Sequence, residues 1–279
     1  MSIDRRAPWR FIDSGAAGGS LNMAIDRAIM EAHAAGQAPA TLRVYRWQPP
    51  AVSIGYHQRV AGSMRTDVCA ALGIEICRRP TGGRAILHDR EVTFSVIASE
   101  SILGTASVME AYRLLAAPIV QAMRSLGVDA RLVDREAAAG APSLATRSAA
   151  PRPGGPGINP ACFASKARCD IMVDGRKIVG SAQLRRDGVV LQQSSLPLHL
   201  EVERAAQVFE GQDAGQRDDM AQVAIDLCAA AGREVRFMEV AESLRAAFES
   251  ELGIRMSREP LAEREIRRAE QLEPEHRAG

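Results

Sequence analysis

The chain has 279 residues, with a formal net charge of +1, 46% hydrophobic residues and 25% charged residues. This composition is typical of one large or two small globular domains, and it gives no overall field that would attract nucleic acid or an anionic membrane. No apolar run approaches the roughly 18 residues of a membrane span, and the N-terminal MSIDRRAPWRFID lacks the apolar region of a secretory signal. The five cysteines are irregularly spaced and form no CxxC pair, which argues against a disulfide framework and structural zinc. We therefore expect a cytoplasmic protein with reduced thiols and no metal.

The first half of the chain predicts two helices separated by strands. SLNMAIDRAIMEAHAAG, Ser20–Gly36, has helical apolar spacing, with a serine as N-cap and a glycine as stop. Strands are predicted for TLRVYRW, AVSIGY, IEICR, AILH and VTFSVI. Ser107 and Glu110 form a capping box for a helix that runs to Gly127, and Pro118 predicts a kink or a division of that helix.

The second half predicts a loop, a meander and further helices. Residues 135–157 are rich in Ala, Pro and Gly, and we interpret them as a mobile loop. Asp-Gly turn signals at 174–175 and 187–188 predict a three-stranded β-meander over 170–198. Residues 238–253 predict a helix, and the charged tail beyond them predicts a solvated helix that frays at its end.

Strands and helices are mixed without strict βαβ alternation. This order predicts an α+β fold, with a mixed and largely antiparallel sheet flanked by helices. We expect residues 1–200 to form the core, and residues 201–279 to form a C-terminal helical extension packed on it.

The middle strand of the meander separates into two faces because side chains alternate along a strand. One face holds the apolar set Ile178, Gly180, Ala182 and Leu184, which is expected to meet the core. The other face is either a polar cleft wall or an ordinary exposed face, and it holds Lys177, Val179, Ser181 and Gln183.

Cys162 lies in loop-like sequence, directly after NPA, where reactive residues are often presented. Cys69, Cys77 and Cys228 lie in apolar helix or strand patterns and are expected to be small buried residues. Cys169 has either interpretation. From the residues alone, Cys162 is either a nucleophile or one more buried cysteine.

Two segments carry a family resemblance. RRPTGGRAILHD, together with ACFASKARCDIMVDGRKIVGSAQLRRDGVVLQQSSL, resembles the lipoate–protein ligase A, lipoyltransferase and biotin ligase superfamily. Within it, the chain is most similar to LipM-type octanoyltransferases, over roughly residues 11–200. ATP-using ligases tend to have three glycines where this chain has Gly82-Gly83-Arg84, and they tend to lack a cysteine at the position of Cys162. The resemblance therefore implies an enzyme without a cofactor.

The resemblance implies roles for particular residues. Cys162 would carry the acyl group as a thioester, with Lys177 as its electrostatic partner. The octanoyl group would come from an octanoyl-acyl carrier protein and go to a lysine of a lipoyl domain, such as glycine cleavage H protein, in lipoate biosynthesis. In the arginine-rich loop, Gly82 and Gly83 would let the backbone approach a ligand, and Arg79 and Arg84 would contact the phosphopantetheine arm. Further expectations are that His88 or Asp89 braces the loop, that Arg78 is solvated, that the acyl slot includes Ile54, Ile86 or Val179, and that Ser181 and Gln183 contact substrate.

Three alternatives stay open at this point. An ATP-dependent lipoate ligase would form an acyl-adenylate and would not need Cys162. An amidotransferase would use a similar cysteine but take its acyl group from a protein lysine. A non-catalytic protein that binds an acyl carrier would keep the fold without turnover, although Cys162 and Lys177 argue against it.

Overall fold

The described strands form two sheets. The structure, a computed structural model, describes residues 3–134, 169–209 and 222–278, so Cys162 and the loop 135–157 lie outside the described residues. The strands are β1 (Trp9–Ala17), β2 (Ala40–Trp47), β3 (Ala51–Ile54), β4 (Glu75–Arg78), β5 (Ile86–His88), β6 (Glu91–Ser99), β7 (Arg131–Asp134), β8 (Cys169–Val173), β9 (Arg176–Arg186), β10 (Val189–Pro197) and β11 (Met256–Arg258). The helices are α1 (Gly19–Ala34), α2 (Thr66–Ala71), α3 (Glu100–Leu103), α4 (Val108–Ser125), α5 (Val202–Val208), α6 (Leu227–Ala231), α7 (Phe237–Leu252) and α8 (Glu263–His276).

The larger sheet has eight strands in the order β11-β1-β2-β6-β10-β9-β8-β7. The first three strands run parallel, and every other pair is antiparallel. The smaller sheet has the order β4-β3-β5 and is also mixed. The predicted class, α+β with a largely antiparallel mixed sheet and flanking helices, is confirmed.

The predicted meander is confirmed as β8, β9 and β10. Asp174 and Gly175 both have positive φ, as do Asp187 and Gly188. Two successive residues at positive φ suit the right-handed twist of an antiparallel hairpin. The second of these turns fixes the register of β9 on β10, which pairs Gln183 with Gln192.

The two faces of the large sheet are covered differently. One face packs against α4 and α7 in the main hydrophobic core, which includes Phe94, Leu115 and Phe248, all fully buried. The other face packs against α1 in a second cluster around Ile29 and Ile97. The smaller sheet has its own apolar cluster, so it lies as a separate layer beside the large one.

The start of α1 is held by a residue distant in sequence. The helix begins at Gly19, and the predicted N-cap Ser20 lies in its first turn. The carboxylate of Glu75 accepts hydrogen bonds from the backbone N–H of Gly19 at 2.6 Å and of Ser20 at 2.9 Å, and from the Ser20 hydroxyl at 2.6 Å. A carboxylate there satisfies free N–H groups and favours the helix dipole. The prediction for α4 is confirmed at its start, where Ser107 caps the helix. Pro118 lies inside one continuous helix, so the predicted alternative of a division at Pro118 was wrong.

The charged tail is not a fraying, solvated helix, so that expectation was wrong. It forms α8, which lies along α1 and buries Ala269 and Leu272 completely in the cluster that α1 shares with the sheet. Glu265 is 1% exposed and forms an ion pair with the buried Arg10. The one apolar stripe on a mostly charged helix is enough to dock it.

The chain after residue 200 also supplies a strand. β11 extends the large sheet by pairing with β1, and α7 packs on α4. The division into a core of residues 1–200 and an extension of residues 201–279 stays a prediction. None of the helices formed by the described residues is long and apolar enough to cross a membrane.

Candidate active site

A cavity lies between the smaller sheet and the face of the large sheet that packs against α1. It has an empty volume of about 470 Å³, part of which is open to solvent. Its apolar and aromatic walls come from Met23, Tyr45, Trp47, Ile86 and Ala182. Its polar walls come from Ser53, Arg79, Thr81, His88, Thr93, Gln193 and Ser195.

Arg79 braces the arginine-rich loop from inside. Its guanidinium is buried and donates to the carbonyls of Gly82 at 2.8 Å, Arg84 at 2.6 Å and Ser53 at 2.9 Å. These bonds fold the loop back onto Arg79, the residue that follows β4, and they hold the loop against β3. The contact with a phosphopantetheine arm stays a prediction for Arg79 and for Arg84.

The glycines allow two backbone segments to touch. Gly83 has a φ of +99°, where an L-residue is strained. A Cβ on Gly55 would lie 2.0 Å from the carbonyl oxygen of Gly83. The loop therefore needs glycine at Gly55 and Gly83, while Gly82 has open space around it. Arg78 closes the same contact, because its guanidinium donates to the carbonyls of residues 55, 56 and 58, so it is not merely solvated.

His88 joins the loop to the large sheet. Its ring lies parallel to Trp47, with centroids 4.0 Å apart. Nε2 is 2.7 Å from the Ser53 hydroxyl, and Nδ1 is 2.9 Å from the carboxylate of Glu91. Burial acts to raise the pKa of the Glu91 carboxyl. The charge and hydrogen bond of His88, together with hydrogen bonds from Thr93 and Ser195, outweigh burial, so the pKa is lowered. The bracing role predicted for His88 or Asp89 is consistent with this geometry, in which Asp89 pairs with Arg204 instead.

A second buried network connects the loop to α1. The Thr81 hydroxyl donates to Gln193 Oε1 at 2.8 Å, and Gln193 Nε2 donates to Asp26 at 2.8 Å. Asp26 also accepts bonds from Arg43 at 2.6 Å and from the Tyr45 hydroxyl at 3.2 Å. Burial, with the nearby Asp26 carboxylate, raises the pKa of Tyr45 well above its usual value, so this hydroxyl is a donor. No local sequence pattern predicts this network, because its members lie on four separate segments of the chain.

Lys177 lies beside a β-bulge. β8 and β9 pair Met172 with Lys177 but Ile171 with Val179, so Ile178 is an extra residue in β9. The bulge reverses the alternation, and it places Lys177 on the face that Met172 occupies, away from the core residue Ile171. The prediction that Lys177 and Val179 share a face was wrong, because it was based on strict alternation along β9 without a bulge.

The bulge also changes which residues of β9 form the cavity wall. Gly180 and Ala182 line the cavity and do not pack into the core, contrary to the expectation for that set. Ser181 also reaches the cavity wall, but its hydroxyl lies 2.9 Å from that of Ser194. Gln183 donates to Gln192 at 2.7 Å and does not line the cavity. Substrate contact by Ser181 and Gln183 stays a prediction.

Lys177 has an acidic partner. Its ammonium is 2.9 Å from the carboxylate of Asp170, with side-chain exposures of 7% and 2%. A buried charge is tolerated when it is paired, and Asp170 supplies that pairing. The backbone of Lys177 is held too, since its carbonyl accepts the N–H of Ile225 at 2.9 Å. Lys177 is thus fixed at the end of the cavity face, three residues before Gly180.

The predicted acyl-slot residues separate in the structure. Ile86 lines the cavity, Ile54 is buried in the apolar cluster of the smaller sheet, and Val179 is buried in the main core. Cys69, Cys77 and Cys228 are buried as expected, and burial raises the pKa of the Cys77 thiol. Cys162 lies outside the described residues, so its position relative to Lys177 stays a prediction.

Similar proteins were found by sequence. The profile of the lipoyl protein ligase A/B catalytic domain matches residues 19–249. The octanoyltransferase LipM of Kyrpidia tusciae is 40% identical over 269 residues, which cover 95% of this chain and 94% of that protein. The octanoyltransferase LipM of Bacillus subtilis is 33% identical over 267 residues, with coverages of 94% and 92%.

Similar folds were found among solved structures. The bipartite lipoate protein ligase of Thermoplasma acidophilum has a TM-score of 0.74 at 24% identity, and covers 96% of this chain and 93% of its own. Lipoate-protein ligase A bound with ATP has a TM-score of 0.72 at 24% identity, with coverages of 98% and 95%. At this identity the likeness shows the fold.

Proposed function

We propose that this chain, which belongs to the lipoyl protein ligase A/B catalytic domain family and is an octanoyltransferase of lipoate biosynthesis, transfers the octanoyl group through a thioester on Cys162. The donor is an octanoyl-acyl carrier protein and the acceptor is a lysine of a lipoyl domain, both encountered in the cytoplasm. One observation supports this mechanism most directly. Lys177 places a buried ammonium, fixed by its ion pair, at the end of the cavity face of β9. Cys162 precedes this strand in the sequence.

The reaction has two steps that balance without ATP. In the first, the Cys162 thiolate attacks the carbonyl carbon of the donor thioester, and the carrier thiol leaves with the electron pair and takes up a proton. In the second, the acceptor amine attacks the new thioester, an amide forms, and Cys162 leaves as the thiolate while the amine loses a proton. Thioester exchange is close to thermoneutral and amide formation is downhill, so a covalent intermediate suits this transfer.

Lys177 supplies the electrostatic part of the mechanism. A free thiol of pKa about 8.5 is only roughly 3% thiolate at pH 7. Bringing the thiolate fraction to a half requires about 2 kcal/mol. One ammonium roughly 4 Å away supplies up to about 4 kcal/mol at an effective dielectric near 20. Asp170 offsets part of this field, but its hydrogen bond also keeps the ammonium of Lys177 in one place, which lowers the cost of reorganisation.

The cavity holds the acyl chain in this mechanism. Met23, Trp47, Ile86 and Ala182 provide an apolar wall, and two small residues on β9, at 180 and 182, leave room in front of it. The loop braced by Arg79 closes the opposite side. The carbonyl end of the chain then lies toward the polar rim, where a cysteine and an ammonium are needed.

Transfer without ATP tests the proposal. Purified protein is mixed with octanoyl-acyl carrier protein and a lipoyl domain, with and without ATP, and the mass of the lipoyl domain is followed. We expect one octanoyl group to be added at the same rate in both mixtures, and no transfer by Cys162→Ala. A wild-type reaction that needs ATP, or a Cys162→Ala variant with full activity, would favour an ATP-dependent ligase. If only an octanoylated protein lysine serves as donor, the chain is an amidotransferase.

A further inference from the structure

A cluster of three metal-binding side chains lies apart from the cavity. It consists of His199, which follows β10, Cys228 in α6, and Glu234 in the loop after α6. Their ligand atoms all lie within 4.8 Å of one another, and His199 Nε2 is 3.0 Å from the carboxylate of Glu234. The mechanism proposed above uses none of the three.

Backbone hydrogen bonds hold the three segments together. The N–H of Cys228 donates to the carbonyl of Leu198 at 3.3 Å, which joins α6 to the residue before His199. Gly232 ends α6 in the left-handed conformation and turns the chain back over it. The N–H of Val235 then donates to Cys228 Sγ at 3.3 Å, which places Glu234 beside the thiol.

The cluster combines a closed side with an open side. Cys228 is 8% exposed, whereas the side chains of His199 and Glu234 are 26% and 67% exposed. An ion can therefore reach the histidine and the carboxylate from solvent and meet a preplaced sulfur behind them. Two arginines lie nearby among the described residues. Arg90 acts on Glu234 and lies 3.8 Å from the carboxylate of Glu201, and the Arg233 guanidinium donates to the Glu234 carbonyl at 3.1 Å.

We propose that His199, Cys228 and Glu234 form a binding site for a Zn²⁺ ion. A thiolate, an imidazole and a carboxylate are three of the ligand types that Zn²⁺ prefers, and a thiolate selects against Mg²⁺ and Ca²⁺. Tetrahedral Zn²⁺, with bonds of about 2.0–2.3 Å, needs ligand atoms roughly 3.3–3.7 Å apart. The ligand atoms, which lie within 4.8 Å of one another, therefore have to approach by at most about 1.5 Å on binding. On binding, the Cys228 thiol releases its proton to solvent, and water fills the fourth position.

The site has a structural consequence for the catalytic face. A bound ion ties the end of β10 to α6, and the residues just before α6 pair with β9 at Lys177. Zn²⁺ is thus expected to stabilise the junction that fixes Lys177. The lack of a CxxC pair predicted no structural zinc. The proposed ligands do not form such a pair, because they are distant in sequence and converge only through the fold.

Co²⁺ is the probe that reports thiolate ligation directly. Chelator-treated protein is titrated with Co²⁺, and the near-ultraviolet sulfur-to-metal charge-transfer absorption is recorded. We expect one equivalent to produce the band in the wild type, and Cys228→Ala to lose it. Cys69→Ala and Cys162→Ala are matched controls that should keep it. The proposal is overturned if the wild type shows no band, or if Cys228→Ala keeps it.

Competition for Zn²⁺ extends the test to the other two ligands. His199→Ala and Glu234→Gln should each bind Zn²⁺ at least ~10-fold more weakly than the wild type. Glu234 is an exposed side chain, so its variant is not expected to unfold. Zn²⁺ should also raise the Tm of the wild type and of Cys162→Ala, but not that of Cys228→Ala. Equal Zn²⁺ affinity in all variants would contradict the proposal.

Discussion

The two faces of the β9–β10 hairpin differ in what their side chains contact. On one face, polar side chains bond to one another, and on the other, small residues border a cavity. On the face toward α4, the polar side chains bond mainly to one another, because Ser181 hydrogen-bonds with Ser194 and Gln183 donates to Gln192. On the opposite face, the small Gly180 and Ala182 border an open cavity. In the proposed acyl site, small residues leave room for a ligand, so a row of polar side chains is by itself a poor guide to such a site.

Filling the cavity with a larger side chain should have the largest effect on octanoyl transfer. Ala182→Phe places a ring in the space assigned to the acyl chain, and we expect octanoyl transfer to fall at least ~100-fold, as for other misplacements of a reacting group. Arg186→Phe is the matched control, because it adds the same ring to β9 at an exposed position that does not line the cavity. It should keep its activity within a factor of ~3. Equal losses in the two variants would contradict the placement of the acyl chain in the cavity.

On the cavity side of the large sheet, α1 is covered in turn by α8. The free energy of unfolding measures how much this packing contributes. Leu272→Ala removes a fully buried side chain where α8 packs on α1, and we expect it to lower the free energy of unfolding by about 3 kcal/mol. Glu270→Ala, an exposed neighbour on α8, should change it by less than ~0.5 kcal/mol. Urea denaturation measures both. A solvated, fraying tail would give two small and similar values.

The buried pair of Glu91 and His88, beside the cavity, should show a smaller, pH-dependent effect. Because the pKa of Glu91 is lowered in the folded protein, its stabilisation is present above the pKa of the unfolded chain, about 4.3, and is lost as the pH falls through the folded pKa. We expect Glu91→Gln to lower the free energy of unfolding at pH 7 by about 2 kcal/mol. Its stability should also fall less steeply than that of the wild type between pH 5 and pH 3.

An exposed carboxylate provides the control for that pH dependence. Glu251→Gln should leave both the stability at pH 7 and its decline in acid as in the wild type, because Glu251 is solvent-exposed. If Glu91→Gln behaves in the same way, the buried carboxylate does not contribute as its contacts with His88 and Thr93 imply.

Much of the fold follows from local signals in the sequence. The Asp-Gly turns predict the hairpins that flank β9, and the helical spacing around Ile25 and Ile29 predicts α1. The docking of α8 does not follow in this way. Its stripe of Ala269 and Leu272 is too narrow to distinguish from a solvated face until α1 is seen to cover it.

The site was predicted only in part, for a physical reason. The glycine requirement at Gly83 can be inferred from a motif because it depends on local backbone conformation, and the role proposed for Lys177 likewise comes from a residue type within a motif. The face that Lys177 occupies depends on the bulge at Ile178, and one extra residue reverses every later side chain. The pairing of Lys177 with Asp170 depends on the bulged pairing of β8 with β9, and the Gln193 network joins elements that are distant in sequence, so no local pattern predicts either.

The most direct test of the account measures how fast an octanoyl mass appears on Cys162. Wild type, Lys177→Met and Asp170→Asn are mixed with octanoyl-acyl carrier protein at pH 7 without acceptor, and intact-protein masses and peptide maps are recorded over time. We predict one octanoyl group on Cys162 in the wild type, and acylation at least ~10-fold slower in Lys177→Met, which has lost the charge that favours the thiolate. No adduct in the wild type, or an adduct at another residue, would contradict the account.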